Sequence, residues 1–273
     1  MYTFSQYEES ANYLKSILGD FKPDVLLMLG SGLGYLADEV ENGIAVKYGD
    51  IPHFKTSTAP GHAGKFVFGK LSGKNVAVMQ GRFHLYEGYD AEDVVFPIRV
   101  AKLLGVSSFI VTNACGGVNL DYHAGDLMII KDHIKLFHQT PLTGPNHPEF
   151  GVRFPDMSDA YTAEYRELAK ETAKELNLPI REGVYCYFPG PQYETAAEVV
   201  AARTLGADTT GMSTVPEVIA ANHCGLKTLG VSLVTNMATG VLPQKLSEQE
   251  VIDAAKAAAP RFSSLILNFL KKI

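Results

Sequence analysis

The sequence predicts an α/β protein, with a largely parallel β-sheet covered on both faces by helices. Three observations lead there. Short apolar runs bounded by glycine and polar residues recur along the chain, as buried strands do. Stretches of helical period lie between them, and strands alternating with helices build parallel sheets. No repeat, low-complexity tract or Gly/Ser/Pro linker divides the chain, so residues 1–273 read as a single domain.

In chain order, strands are expected at residues 25–29, 76–79, 109–111, 127–130, 184–188 and 229–234. Helices are expected at 91–104, 163–176 and 196–205. Three S/T-x-x-E sequences mark helix starts: Thr195 with Glu198, Thr214 with Glu217, and Ser247 with Glu250. In each, hydroxyl and carboxylate can satisfy one another's backbone N–H. The last opens a C-terminal helix through Leu270, with a kink expected near Pro260, whose nitrogen carries no donor. Residues 140–159 are rich in Pro, Gly, Asn and Asp and read as a long loop, of a length that often carries function.

Composition narrows the function. With 24 basic and 30 acidic side chains the formal net charge is −6, which argues against nonspecific nucleic-acid or anionic-membrane binding. An anionic substrate must therefore find its positive charge locally. No apolar run approaches the length of a membrane span, and no secretory leader is visible at the N-terminus. Cys115, Cys186 and Cys224 match no zinc or C-x-x-C spacing and read as reduced, mostly buried thiols of a cytoplasmic protein. His53, His123, His133, His138, His147 and His223 form no ligand spacing, so no metal site is expected.

Candidate chemistry gathers where predicted strands run into glycine. Gly30-Ser31-Gly32-Leu33-Gly34 follows the first strand, where exposed backbone N–H groups can cradle a phosphate. It is neither a dinucleotide fingerprint, since Tyr35 stands where glycine is needed, nor a P-loop. Read alone, it is a tight strand-to-helix turn. Pro60-Gly61-His62-Ala63-Gly64-Lys65 comes next, then Arg82, His84 and Tyr86, whose spacing of two puts them on one side of an extended chain. A guanidinium fork with an imidazole suits an oxyanion; a solvated edge strand is the bland alternative.

The run Thr112-Asn113-Ala114-Cys115-Gly116-Gly117-Val118-Asn119 is again a strand end meeting glycines. Cys115 is not favoured as a nucleophile, because nothing nearby lowers its pKa. Tyr193 and Glu194 precede a capped helix, where the ring can stack on a flat base and the carboxylate can accept its N–H. Neutralising the helix dipole is the simpler alternative for Glu194. Met212-Ser213-Thr214 places hydroxyls at another helix start, and Thr235-Asn236 ends the last strand with an amide able to donate and accept.

Together these motifs resemble the trimeric purine nucleoside phosphorylases that act on 6-oxopurine nucleosides such as inosine and guanosine. The match runs in order through all of them, and also through Met157-Ser158-Asp159-Ala160-Tyr161, covering about three quarters of the chain. The resemblance implies one α/β domain with a twisted mixed sheet flanked by helices. It implies a phosphate site of Ser31, His62, Arg82, His84, the backbone of Ala114, and Ser213. Tyr86 and Met212 would flank the ribose, while Tyr193, Glu194, Asn236 and the backbone near Gly116 would hold the purine. Asn236, His84 and Glu194 would carry the catalysis, with phosphate as co-substrate and no cofactor. Phe154 would reach into a neighbouring subunit's ribose site, making a homotrimer the active unit.

One departure stands out. Mammalian members carry a histidine near the start of the last helix, contacting the ribose 5′-hydroxyl; here Glu248 falls at that place. Within the fold, the rivals are a xanthosine-preferring enzyme and a methylthioadenosine phosphorylase. The latter type carries aspartate in place of Asn236 and threonine in place of Ser213, which this sequence does not. Outside the enzyme class, the rival is a non-catalytic nucleotide-binding domain.

Overall fold

The computed structural model describes every residue except Pro60, Phe137, His138 and Gln244, and of Glu248 it describes the backbone alone. The expectation about the Glu248 side chain therefore lies outside the described residues, as does that about His138.

The chain opens with helix α1 (Phe4–Leu18), which buries Tyr7, Ala11, Leu14 and Leu18 along one face. Strand β1 (Val25–Leu29) is buried throughout and runs through a turn into a 3-10 stretch at Gly34–Glu39. Three strands follow: β2 (Glu41–Lys47), β3 (Lys65–Leu71) and β4 (Lys74–Gln80). Helix α2 (Ala91–Leu103) leads to β5 (Ser108–Gly117) and β6 (Leu127–Lys135). After the long loop come α3 (Ala163–Glu175), β7 (Arg181–Tyr187), α4 (Ala196–Thr204), β8 (Thr209–Gly211) and α5 (Val215–His223). Strand β9 (Lys227–Met237) and helix α6 (Glu248–Leu270) complete the fold, and α6 continues through Pro260.

The sheet is mixed rather than largely parallel. Its order is β2-β3-β4-β1-β5-β8-β7-β6-β9, with β9 pairing back onto β5. β1 runs parallel to β4 and β5, β5 parallel to β9, while β2–β3, β3–β4, β5–β8 and β6–β9 are antiparallel. The strands from β5 to β9 thus form a closed ring, which leaves no unpaired edge in that half.

Alternation along β1 shows how the faces divide. Leu26 and Met28 join one core with residues of α1, α2 and α5; Val25, Leu27 and Leu29 join a second core with α3 and α6. Helices therefore cover both faces. None of the helices among the described residues is long and apolar enough to cross a membrane.

The expected capping boxes fare differently. Thr195 and Glu198 form theirs in full, and Ser247 Oγ accepts from the Glu250 N–H at 3.3 Å. The box at Thr214 does not form: Thr214 adopts φ 78° and makes no side-chain cap. Its hydroxyl accepts from Asn113 Nδ2 at 2.9 Å, and Glu217 turns inward to a buried guanidinium. A buried cation outcompetes a helix end for a carboxylate, because an unpaired buried charge costs far more than an open cap.

Candidate active site

One cleft opens beyond the carboxyl ends of the parallel strands β1, β5 and β9, where α/β sheets commonly bind ligands. All expected site residues line it except His62 and Phe154.

The backbone makes the cleft possible. A Cβ on Gly30 would lie 2.7 Å from the Thr112 carbonyl oxygen, so only glycine lets the turn after β1 lie against β5. Strand β5 does not end at its glycines, as expected, but continues to Gly117. Gly116 and Gly117 pair with Thr210 and Thr209 of β8 and, across a bulge, with Asn236 and Met237 of β9. A Cβ on Gly117 would meet the Met237 sulfur at 2.7 Å. The glycines serve close strand approach, and the bulge places Asn236 beside Gly116.

The first polar grouping surrounds Arg82, which is 1% exposed. Its guanidinium donates to Glu217 Oε1 at 3.1 Å, to Thr214 Oγ1 at 3.4 Å and to the Thr112 carbonyl. The expectation that Arg82, His84 and Tyr86 share a side as an extended strand needs correction. β4 ends at Gln80, and Leu85–Glu87 form a 3-10 turn. Arg82 dives inward to its carboxylate, while His84 stacks on Tyr86 with ring centroids 4.5 Å apart. All three still reach the cleft.

His84 Nδ1 lies 3.0 Å from Glu87 Oε1. Burial raises the Glu87 carboxyl, but hydrogen bonds from His84 and Thr58 outweigh that and hold it at about 2. An ionised Glu87 accepts from Nδ1–H and so turns Nε2 away from itself. Burial pushes the His84 imidazole below its ordinary value, against the opposing pull of Glu87. His62 stands behind His84, ring centroids 5.2 Å apart, and burial pushes it down to about 4. His62 Nδ1 lies 3.1 Å from both the backbone nitrogen and the carbonyl oxygen of Arg82, so whether it accepts or donates there follows the ring's tautomer. His62 Nε2 is buried with no partner among the described residues.

Ser31 and Ala114 line the same cleft, as does Ser213, whose Oγ lies 3.3 Å from Thr214 Oγ1. Asn113 joins them, its amide oxygen buried and unpartnered among the described residues. The sequence reading passed over Asn113 as a side chain; its position just before Ala114 at a strand end was the available signal.

The second grouping surrounds Glu194 and Asn236. Glu194 is 6% exposed, and its Oε1 accepts from Thr210 Oγ1 at 2.8 Å. Burial raises its carboxyl above the ordinary range, partly offset by a hydrogen bond from its own backbone and then by that from Thr210. Asn236 Oδ1 accepts from Thr235 Oγ1 at 3.0 Å, and Nδ2 donates to the Met237 carbonyl at 3.2 Å. The Met237 carbonyl can only accept, which fixes which side of the amide is nitrogen. Tyr193, half-exposed, stands at the rim, and Leu246 and Val251 wall the cleft beyond β9.

Phe154 lies elsewhere. It is 87% exposed on the long loop, with the Arg153 guanidinium over its ring at 5.7 Å. Cys115 lines the cleft but is buried, which pushes its thiol up to about 12, so it cannot act as a thiolate. All three cysteines are free and buried. Among the described residues no cluster of His, Cys, Asp or Glu could hold a metal.

The arrangement can hold an oxyanion against hydroxyls, imidazoles and backbone, and a flat polar ring against a buried carboxylate and amide. Comparison with known proteins agrees. The profile of the Phosphorylase superfamily matches residues 24–271. Purine nucleoside phosphorylase 1 of Bacillus subtilis is 54% identical over 259 residues, covering 95% of both chains. The Bos taurus purine nucleoside phosphorylase is 46% identical over 279 residues, covering 100% of this chain and 96% of its own. The crystal structure of the Schistosoma mansoni enzyme in complex with adenosine superposes with a TM-score of 0.94 at 41% identity. It covers 99% of this chain and 98% of that one. A second Schistosoma mansoni isoform, solved with cytosine and ribose-1-phosphate, is 38% identical with the same TM-score of 0.94, covering 99% of this chain and 97% of that one.

Proposed function

Because this chain belongs to the phosphorylase superfamily, we propose that its cleft takes 6-oxopurine nucleosides, inosine and guanosine, with inorganic phosphate as co-substrate. The chain is an enzyme, and its reaction is purine nucleoside phosphorolysis: base and ribose separate, and the sugar passes to phosphate in purine salvage. One observation carries the finer reading. A single cleft is lined both by Ser31, His84, Ala114 and Ser213 and by the buried pair Glu194 and Asn236.

Breaking a glycosidic bond builds positive charge on the sugar and negative charge on the departing base. Phosphate held by Ser31, His84, Ser213 and the Ala114 backbone faces the first charge, with Arg82 and His62 behind it. His62 brings Nε2, the atom left unpartnered above. Tyr86 and Met212 flank the sugar. Asn236 donates to the base as charge gathers there, and Glu194 accepts from its N1–H; an amide is no proton donor at neutral pH, so Asn236 acts by hydrogen bonding. No cofactor is required.

The homotrimer is part of the same proposal. Phe154 is a large apolar side chain left in solvent by its own chain, as expected of a residue that completes a neighbour's ribose site. Free, buried thiols accord with a cytoplasmic, reducing setting. A substrate panel tests the base assignment: kcat/KM for inosine and guanosine should exceed that for adenosine by about 100-fold or more, as expected of a mismatched buried edge. Equal use of adenosine would overturn it.

A further inference from the structure

Thr210 lies on the three-residue strand β8, between Gly116 of β5 and Cys186 of β7. It is 2% exposed and lines the cleft. Its methyl lies against Gly116, 3.4 Å from where a Cβ on that glycine would stand. A β-branched side chain has few rotamers, so seating the methyl there aims the hydroxyl at Glu194 Oε1, 2.8 Å away. The hydroxyl donates to one of the two carboxyl oxygens, a hydrogen bond that is stronger to the charged form and so favours it.

We propose that Thr210 is a specificity-determining residue that keeps Glu194 an acceptor, so that the carboxylate reads the N1–H of a 6-oxopurine and rejects the bare N1 of a 6-aminopurine. The inference rests on the proposed base site. Hypoxanthine and guanine present a donor at N1, and adenine presents a lone pair. An ionised Glu194 pairs with the first, and a protonated Glu194 could pair with the second. The ionisation of one carboxyl therefore sets base class, and Thr210 adds to the hydrogen bond of the Glu194 backbone in favouring the anion.

The surroundings make the hydroxyl matter. Burial favours the neutral acid, and Glu198 on α4 pushes the same way. The neutral thiol of Cys186 faces Glu194 from β7, and Lys245 shares an outer, open cleft with it. Lys245 is solvent-exposed, so its charge is screened. Among these groups Thr210 donates the side-chain hydrogen bond that favours the anion.

The test is the ratio of kcat/KM for inosine to that for adenosine, measured from pH 5 to 8 in wild type, Thr210→Val, Thr210→Ser and Glu194→Gln. Titration of phosphate and of His84 acts on both nucleosides and cancels in the ratio. In Thr210→Val the acidic fall of the ratio should move up by about one pH unit, since a hydrogen bond to a charged group is being removed. The KM for phosphate should stay within about twofold, and Thr210→Ser should restore most of the wild-type profile. An unshifted ratio in Thr210→Val, with inosine cleavage lost in Glu194→Gln, would overturn the role of Thr210 while leaving the base site standing. Full inosine selectivity in Glu194→Gln would overturn the base site itself and this inference with it.

Discussion

Arg82 Nη1 lies 3.1 Å from Glu217 Oε1, and both side chains are 1% exposed. The positive charge offered to the cleft is thus held in place by a carboxylate that never meets solvent. Neither partner can be removed alone without leaving an uncompensated charge. Glu217→Ala should lower stability by about 3–5 kcal/mol, read as an early thermal transition, whereas Glu217→Gln should cost less because it keeps a hydrogen-bond acceptor for the guanidinium. Equal melting temperatures for Glu217→Ala and wild type would show that the pair carries no such energy.

Arg82→Ala, made together with Glu217→Gln so that no buried carboxylate is left unpaired, should raise the KM for phosphate by at least about tenfold over Glu217→Gln alone, since a charged hydrogen bond contributes about 1.5–3 kcal/mol. The KM for inosine should change far less. A change confined to inosine would move Arg82 to the wrong half of the cleft.

His62 and His133 give the enzyme an acid-side weakness. Burial holds both near pH 4 in the folded chain, against about 6.5 when unfolded. Between those values the unfolded chain binds more protons, so stability is complete above about pH 6.5 and is lost as pH falls towards 4. The slope should reach up to about 1.4 kcal/mol per pH unit for each histidine. Denaturant midpoints measured across that window should fall, and His133→Asn should flatten the decline. A midpoint that rises on acidification would contradict the account.

How far the sequence speaks depends on where each signal lives. The fully buried β1 and the buried stretch of β9 after Lys227 announce themselves as apolar runs, and the Thr195–Glu198 box needs only local partners. Strand β2 was invisible because it is exposed at nearly every position, and β8 because three residues carry no period. Helix α1 was legible in principle, since Tyr7, Ala11, Leu14 and Leu18 follow a helical spacing. In the site, motif glycines and charged side chains could be read in advance. Thr210 could not, because it owes its role to Glu194 on another element, and for Asn113 its place before Ala114 was legible but its pairing with Thr214 was not. The inward turn of Glu217 was hidden for the same reason.

Asn236→Asp should weaken inosine cleavage by about tenfold or more and improve the relative use of adenosine. The donor Nδ2, which faces the Met237 carbonyl, is the group lost, and a mismatched buried edge costs about 1–3 kcal/mol. Unchanged selectivity in kcat/KM would remove Asn236 from base recognition.

Shared sites predict complementation. Phe154→Ala and Asn236→Ala subunits, each of low activity alone, should regain activity when mixed, because some interfaces then join an intact cleft to an intact Phe154. Demonstrably mixed oligomers with no recovery would mean that one chain builds the whole site.

The oxyanion half of the cleft is expected to hold a reactant rather than an ornament of the fold. Purified protein incubated with inosine should release hypoxanthine and ribose 1-phosphate in equal amounts when phosphate is present, and nothing measurable when it is absent. Equal turnover without phosphate, yielding free ribose, would contradict the account and make the enzyme a hydrolase.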